Sequence, residues 1–478
     1  MSSPNVAATA ITVDSLRNDL KEGTVLLPGD AGYEEGIQRW STISVKRAGA
    51  IVQPTTAEEV SAAVKFVTAN QIPFAVCGGG HSTAGMSSSD GGLVIDMRRM
   101  SSVSVDLENS TITYGGGCTW ADVDKAAWEH GLATPGGTVS HTGVGGLVLG
   151  GGFGFLSPRH GLTIDVLLSV EMVLADGAIV TASETENPDL FWAARGAGAS
   201  FGVATKFTSR AFAQGSVYAG MYVYPLEQLL DVVAACNKWL QIQTGDQCVL
   251  FIIGYGPPPD RPRIVAAQVF HNGPAAEGEK LFADLLAVGP LLNTAAEVPY
   301  PVANTMANAV FVHGKRWQFG AANVTAPIQA DVVKSAADSF FSGVEELSKD
   351  PQKEDLRGSV IGFELFPNEK VREVAPDAAA FANRGKYFNA AIVMNWLDPG
   401  NDAAVRQLKR ELAAQIRSGG FSGDEVGSEG VGQYNNYVEN EISSAERAFG
   451  ANAKRLKGLK RKYDPANRFD KPWKLVPE

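Results

Sequence analysis

Three glycine-rich stretches lie between Gly78 and Thr205, and they constrain the fold more than any other feature of the chain. The first, GGGHSTAG (Gly78–Gly85), follows the short apolar run Phe74–Cys77 and sets one of six histidines directly after three glycines. The second runs from Pro135 as PGGTVSHTGVGGLVLGGGFGFLSPRHGLTIDV, with glycines at 143, 145, 146, 150, 151, 152 and 154. The third, ARGAGASFGVAT (Ala194–Thr205), ends in an apolar strand. Glycine lacks the Cβ that blocks close backbone approach, but it loses more conformational freedom on folding than any other residue. One such loop reads as a tight turn. Three together read as backbone brought against a ligand, and a pyrophosphate suits clustered amides. The spacing rejects a Rossmann site. G-x-G-x-x-G occurs in neither long run, and Gly196-Ala197-Gly198 lacks the third glycine at the required offset.

At 478 residues the chain is long enough for two or three domains. A net charge of −11 argues against a nucleic-acid surface, which needs a basic patch. No apolar run reaches the length of a membrane span. The first residues, MSSPNVAATAITVDSLRNDL, lack a basic region followed by an apolar one, so a secretory signal is not expected in this sequence. The four cysteines (77, 118, 236 and 248) form no C-x-x-C pair, and neither a zinc site nor any other metal is expected. Asn109-Ser110-Thr111 and Asn323-Val324-Thr325 match the short glycosylation pattern, which often occurs by chance.

Residues 51–96 read as strand, helix, strand, loop, strand. Thr56 with Glu59 forms a capping box, and Val60, Ala63, Val64 and Val67 repeat at helical spacing. Hairpins are expected around Glu108–Ser110 and Ala175-Asp176-Gly177, and a helix over Trp120–His130. After about residue 215 the texture changes to aromatic and β-branched runs, separated by helical stretches such as Leu226–Gln241 and Ala275–Leu286. It changes again near Ser428, to a polar aromatic run and a basic helix over Ala445–Lys462.

These pieces together resemble a known family. VQPTTAEEV, GGGHSTAG, TGVGGLVLGGGFGFLSPRHGLTID, NPDLFWAARGAG with SFGV after Ala199, YNNYVEN and RLKGLKRKYDPANRF recur in order over nearly the whole chain. The chain resembles the flavoprotein oxidases of the vanillyl-alcohol oxidase superfamily, in the berberine-bridge-enzyme-like branch, whose FAD-binding domain is of the PCMH type. The resemblance implies an α+β fold: a split FAD-binding domain of two α+β subdomains, with an inserted substrate domain built on an antiparallel sheet. The expected limits are 1–215 for the first part, 216–425 for the insertion and 426–478 for the returning segment.

It also implies that His81 bonds covalently to the C8 methyl group of FAD. Neutral imidazole is a competent nucleophile for that bond near neutral pH. Many members add a second, cysteinyl link, but Val139 stands at that position and no cysteine is near, so attachment is expected through His81 only. The resemblance places Gly78, Gly79, Gly80, Ser82, Thr142, Gly143, Gly145, Gly146, Gly154, Val203, Asn436 and Tyr437 at the cofactor, with Thr142 at the gatekeeper position for dioxygen. His141, in the same loop, could face either the flavin or solvent.

Alcohol oxidation by a flavin needs a base for the hydroxyl proton. Tyr437 matches the last tyrosine of the family's Y-x-N-Y motif, and Tyr434 reads as packing. A phenol of pKa ~10 needs a nearby cation or donor to serve as that base, and Arg384 and Lys386 are candidates. Several relatives add a carboxylate on a strand before a tryptophan. Here that strand is Phe388–Trp396, and its alternating residues Asn389, Ala391, Val393 and Asn395 include no acid. Glu364 and His313 are the substitutes, although a lone polar residue on a strand is more often simply satisfied.

The expected function is an FAD-linked oxidase. It takes a hydride from a small organic alcohol of phenolic or secondary-metabolite type and passes electrons to dioxygen, giving hydrogen peroxide. The alternatives are a carbohydrate oxidase, an oxidative cyclase, a dehydrogenase with another acceptor, and a flavin-holding protein with little turnover.

Overall fold

A computed structural model describes residues 12–349, 356–420, 431–432, 434–437, 444–471 and 473–478. Its first sheet contains β1 (Thr24–Leu26), β2 (Ala50–Gln53), β3 (Phe74–Cys77) and β4 (Leu93–Asp96), in the order β1-β2-β4-β3. β2, β4 and β3 run parallel, which requires a crossover, and helix Ala57–Ala69 supplies one. Its Val60, Ala63, Val64 and Val67 are buried, as their spacing predicts.

Only half of the expected capping box forms. The Thr56 hydroxyl accepts from the Glu59 N–H at 3.3 Å. The Glu59 carboxylate, however, accepts from the N–H groups of Lys21, Glu22 and Gly23 at 2.8, 2.8 and 2.9 Å and from that of Thr55 at 2.8 Å. Burial opposes its charge, but these donors hold its pKa at about 2. Because this carboxyl is depressed below its unfolded value, its contribution to stability is full above pH ~4.5 and disappears as pH falls toward 2. Glu59→Ala is expected to cost about 1–3 kcal/mol at neutral pH, the penalty for stranded donors, and less at acid pH. Thermal denaturation of both proteins across that range checks it.

The second sheet holds β5 (Val103–Asp106), β6 (Thr111–Gly115) and, after the two-residue β7 (Leu132–Ala133), β8 (Leu167–Val173), β9 (Ile179–Ser183) and β10 (Val203–Arg210). Its order is β5-β6-β10-β8-β9, all antiparallel, and both expected hairpins are present. β11 (Phe212–Ala213) pairs back with β7.

The third sheet contains β12 (Val217–Pro225), β13 (Gln247–Tyr255), β14 (Arg263–His271), β15 (Leu292–Asn293), β16 (Ala296–Val298), β17 (Arg316–Val324), β18 (Val360–Leu365) and β19 (Phe388–Trp396). The antiparallel order is β15-β12-β14-β13-β18-β19-β17, with β16 also on β12. The two faces separate by alternation. Phe251, Ile361, Phe363, Ile392 and Met394 join a core with the helices Leu229–Ile242, Ala330–Leu347 and Asp402–Arg417. Leu250, Ile252, Val360, Gly362, Ala391 and Val393 point the other way, into a cavity.

The expected Ala275–Leu286 helix breaks at Phe282, and the expected Ala445–Lys462 helix breaks at Gly450, whose φ of +53° lies outside the right-handed helix. The helix Ala453–Tyr463 packs against Pro188–Ala197, with Leu456, Trp192 and Phe449 in one core. The chain thus returns to the glycine-rich half. Arg468 donates to the carbonyls of Val67 and Ile72 at 3.1 and 2.7 Å, and Phe469 meets Phe74 edge to face. Asn323 is fully buried in β17 and donates to Gly432 O at 2.8 Å, so it is not a glycan acceptor in the folded chain. The expected boundary near residue 425 and the last residues of YNNYVEN lie outside the described residues. Among the described residues, no helix is long and apolar enough to cross a membrane.

Candidate active site

A cavity of about 830 Å³ runs between the glycine-rich half and the third sheet. One end is backbone. Gly78–Ser82 leaves the end of β3, and Thr142, Gly143, Gly145 and Gly146 open the short helix Val144–Leu149; all of them line the cavity. The two loops touch each other at Gly79 and Gly143. A Cβ on Gly79 would lie 2.4 Å from Gly143 N, and one on Gly143 would lie 2.2 Å from Gly79 N. Gly80 has φ +71°, which turns the chain so that His81 follows at the cavity wall. Two glycine loops packed backbone to backbone, with Gly146 open to the cavity, present a cradle of bare main chain that fits a flat, phosphate-bearing cofactor such as FAD. Arg468, Phe469 and Lys471 close the same wall.

Two sequence-predicted cofactor residues are flanked by cavity-lining residues without lining the cavity themselves. Val203 begins β10, and strand alternation turns its side chain into the core, while its neighbours Gly202 and Ala204 line the cavity. Gly154 is pinned by its N–H to Ser157 Oγ at 3.0 Å, and a Cβ there would meet Gly136 O at 2.0 Å; Phe153 lines the cavity in its place.

His81 is held on two sides. Its ring stacks on Trp40 with centroids 4.9 Å apart and planes 6° apart, and Trp40 stacks in turn on Trp317. Its Nε2 shares a hydrogen bond of 2.8 Å with His141 Nδ1. Burial, then His141 and His313, push its pKa well below the ordinary histidine value, so the ring is neutral. His313 does not reach the Tyr437 end of the cavity. It sits on the exposed loop before β17, with its ring centroid 5.1 Å from that of His141 and 6.2 Å from that of His81. Nothing in the sequence around Trp40 marks it for this role, because it lies far from His81 in the chain and outside every motif.

The acid absent from β19 is on the neighbouring strand. Glu364 pairs in register with Asn389, and β18 turns Val360, Gly362 and Glu364 to the cavity. The Tyr437 hydroxyl donates to Glu364 Oε1 at 2.7 Å. Glu364 Oε2 is buried with no hydrogen-bond partner among the described residues. Burial raises the Glu364 pKa to about 8, against the hydrogen bond from Tyr437 that lowers it. Tyr437 rises well above its usual value, through burial and the adjacent Glu364. Neither cation expected to help Tyr437 is placed for it: Arg384 is committed to Asp165 at 2.6 Å, and Lys386 is exposed. The partner of the phenol is an acid, not a cation.

Tyr434 does more than pack. Its hydroxyl accepts from Gly152 N at 3.1 Å and from Asn436 Nδ2 at 2.7 Å, fixing the 150–154 loop against the Y-x-N-Y segment. Tyr434→Phe is expected to leave the buried Gly152 N–H unpaired and cost about 1–3 kcal/mol. Flavin reduction should stay within a few-fold of the parent, since the hydroxyl does not touch Glu364. Urea denaturation and stopped-flow reduction separate the two effects.

Residues 48–183 match the FAD binding domain family, and residues 433–472 match the berberine and berberine-like family. The FAD-linked oxidoreductase pgmH of Aspergillus terreus is 34% identical over 97% of this chain and 96% of its own length. The 6-hydroxy-D-nicotine oxidase of Arthrobacter nicotinovorans is 26% identical, with a TM-score of 0.82 over 96% of this chain and 98% of that one. A berberine-bridge-enzyme-like protein of Physcomitrella patens shares the fold at 21% identity, with a TM-score of 0.84 over 98% of this chain and 100% of that one.

Proposed function

Because the chain belongs to the berberine-bridge-like FAD-linked oxidoreductases, we propose that it is an oxidase of small organic alcohols carrying FAD on His81. The observation that carries this reading is the Tyr437–Glu364 pair in the same cavity as the glycine cradle and His81. FAD, when bound, supplies the hydride acceptor. The protein supplies orientation and proton transfer. The substrate hydroxyl gives its proton to the Tyr437 oxygen as Tyr437 passes its own to Glu364 Oε1. The phenol is then never required as a free phenolate, which its raised pKa opposes. Glu364 is competent when ionised, above about pH 8.

The apolar face of Leu250, Ile252, Val360, Ala391 and Val393 supports a ring system of low polarity rather than a sugar. Arg261, Lys315 and Arg357 line the same cavity and suit an ionised phenol or carboxylate on that ring. Val139 also lines the cavity, so the position expected for a second link faces the cofactor space with an unreactive side chain. Since Nε2 of His81 is engaged by His141, Nδ1 is the nitrogen left for the flavin.

Two measurements test the proposal. Acid precipitation should leave the yellow colour on wild-type protein and release it from His81→Ala; free flavin from the wild type would defeat the covalent reading. Phenolic alcohols should bleach the flavin without air, and admitting air should restore it with hydrogen peroxide. Slow reoxidation would indicate a dehydrogenase.

A further inference from the structure

His81, His141 and His313 form a cluster of three imidazoles beside the cavity, the first two half-buried and the third exposed, and alcohol oxidation as described uses none of their protons. One ring nitrogen from each lies within 4.8 Å of those from the other two. His81 Nε2 and His141 Nδ1 share the one hydrogen bond of the group at 2.8 Å. His141 Nε2 is buried with no hydrogen-bond partner among the described residues, and His313 is exposed. Trp40 fixes the plane of His81, so the hydrogen bond has one geometry to adopt. An imidazole offers one lone pair and one N–H when neutral, and which nitrogen holds the proton is set by the partner of the other.

We propose that His141 is a positioning residue for flavin attachment: it holds His81 as the Nε2–H tautomer, takes that proton as Nδ1 bonds to the flavin, and hands it on toward His313. This rests on the reading that His81 carries the cofactor. In that step the C8 methyl group loses a proton and a bond forms from Nδ1 to its carbon. The electron pair enters the flavin ring, which is thereby reduced. A ring substituted at Nδ1 and protonated at Nε2 would be a cation in a buried site. Passing the Nε2 proton to His141 Nδ1 restores the neutral ring. Dioxygen then reoxidises the flavin to give hydrogen peroxide, whose two protons come from solvent and balance the one lost by the methyl group and the one passed from Nε2 through His141 toward solvent. Burial and the two neighbouring imidazoles disfavour a charged His81, consistent with a ring that must keep its nucleophilic lone pair.

The experiment uses full-length protein from riboflavin-starved cells, prepared with chelator so that no divalent ion occupies the three rings. In ¹⁵N-histidine-labelled protein, the His81 signals should show a protonated Nε2 and an unprotonated Nδ1. His141→Ala should give mixed tautomers. Addition of FAD should then produce acid-stable flavin on the wild type. In His141→Ala the rate should fall by on the order of 10², the scale for removing a proton acceptor, and added imidazole should recover part of it. His141→Gln can accept from Nε2–H but cannot take the proton, so it should keep the tautomer and still attach flavin slowly. It also serves as the test protein if His141→Ala does not fold. Attachment at the wild-type rate in both variants, or an unchanged tautomer in His141→Ala, overturns the proposal. The tautomer arm needs no flavin, so it is read independently of the covalent reading. Wild-type protein that never holds acid-stable flavin removes that reading, and the proton-transfer half of this one with it.

Discussion

Glu364→Gln is expected to slow flavin reduction by a working alcohol substrate by on the order of 10²–10⁴ while leaving flavin content unchanged. Glutamine keeps the shape and can still accept the Tyr437 hydrogen bond through its carbonyl oxygen, but it cannot hold the proton. Tyr437→Phe should lose on the order of 10² or more, because the relay is broken at its first member. The two residues form one path, so the double variant should be little slower than the slower single one. The pH profile carries a second signature. In the wild type, the reduction rate should climb through about pH 8 as Glu364 ionises, then level off. That inflection should vanish in Glu364→Gln. Stopped-flow reduction across pH measures all of this. A rate within a few-fold of the parent in Glu364→Gln would remove the acid from the mechanism, and a retained inflection would assign it to another group.

The second large effect is structural. Gly79→Ala and Gly143→Ala each place a methyl group into the opposite loop's backbone, at 2.4 and 2.2 Å from the facing amide nitrogen. No side chain can swing aside there, because the obstacle is main chain. Overpacking of this kind costs about 1–3 kcal/mol or more, and it separates the two loops that form the cradle. Both variants are expected to purify with little flavin, whereas Gly458→Ala, exposed on the helix Ala453–Tyr463 and away from the cavity, with an added Cβ that meets nothing within 4 Å, should load normally. The ratio of flavin absorbance to protein absorbance reads the contrast directly. Full loading of Gly79→Ala would show that the loops have room to part.

Much of this was legible in the chain because short-range physics wrote it there. The glycine stretches announce the cradle, since only a need for close backbone approach explains so many of them. Alternation on Phe388–Trp396 predicts which residues face the cavity, and Ala391, Val393 and Asn395 do line it. Glu364 is legible as a substitute acid once Phe388–Trp396 is seen to carry none, but not what it faces. Alternation describes one strand at a time, and only the β18–β19 register brings Glu364 to the cavity beside Tyr437. The cation sought for Tyr437 failed for the same reason, as Arg384 is drawn away by Asp165, a residue 219 positions distant. Trp40 under His81 and the meeting of three histidines are likewise tertiary facts, carried by loops with no periodic pattern.

The returning segment sets an order on biosynthesis. Lys460 is fully buried and donates to Asp464, Ser200 O and Phe469 O at 2.6, 2.6 and 2.9 Å, anchoring the turn that delivers Arg468, Phe469 and Lys471 to the cavity wall. These residues leave the ribosome after the entire third sheet, although the cradle they complete begins at Gly78. A nascent chain must therefore keep an open, unfinished dinucleotide wall while its middle is translated, and FAD can be locked in only once that last stretch has emerged.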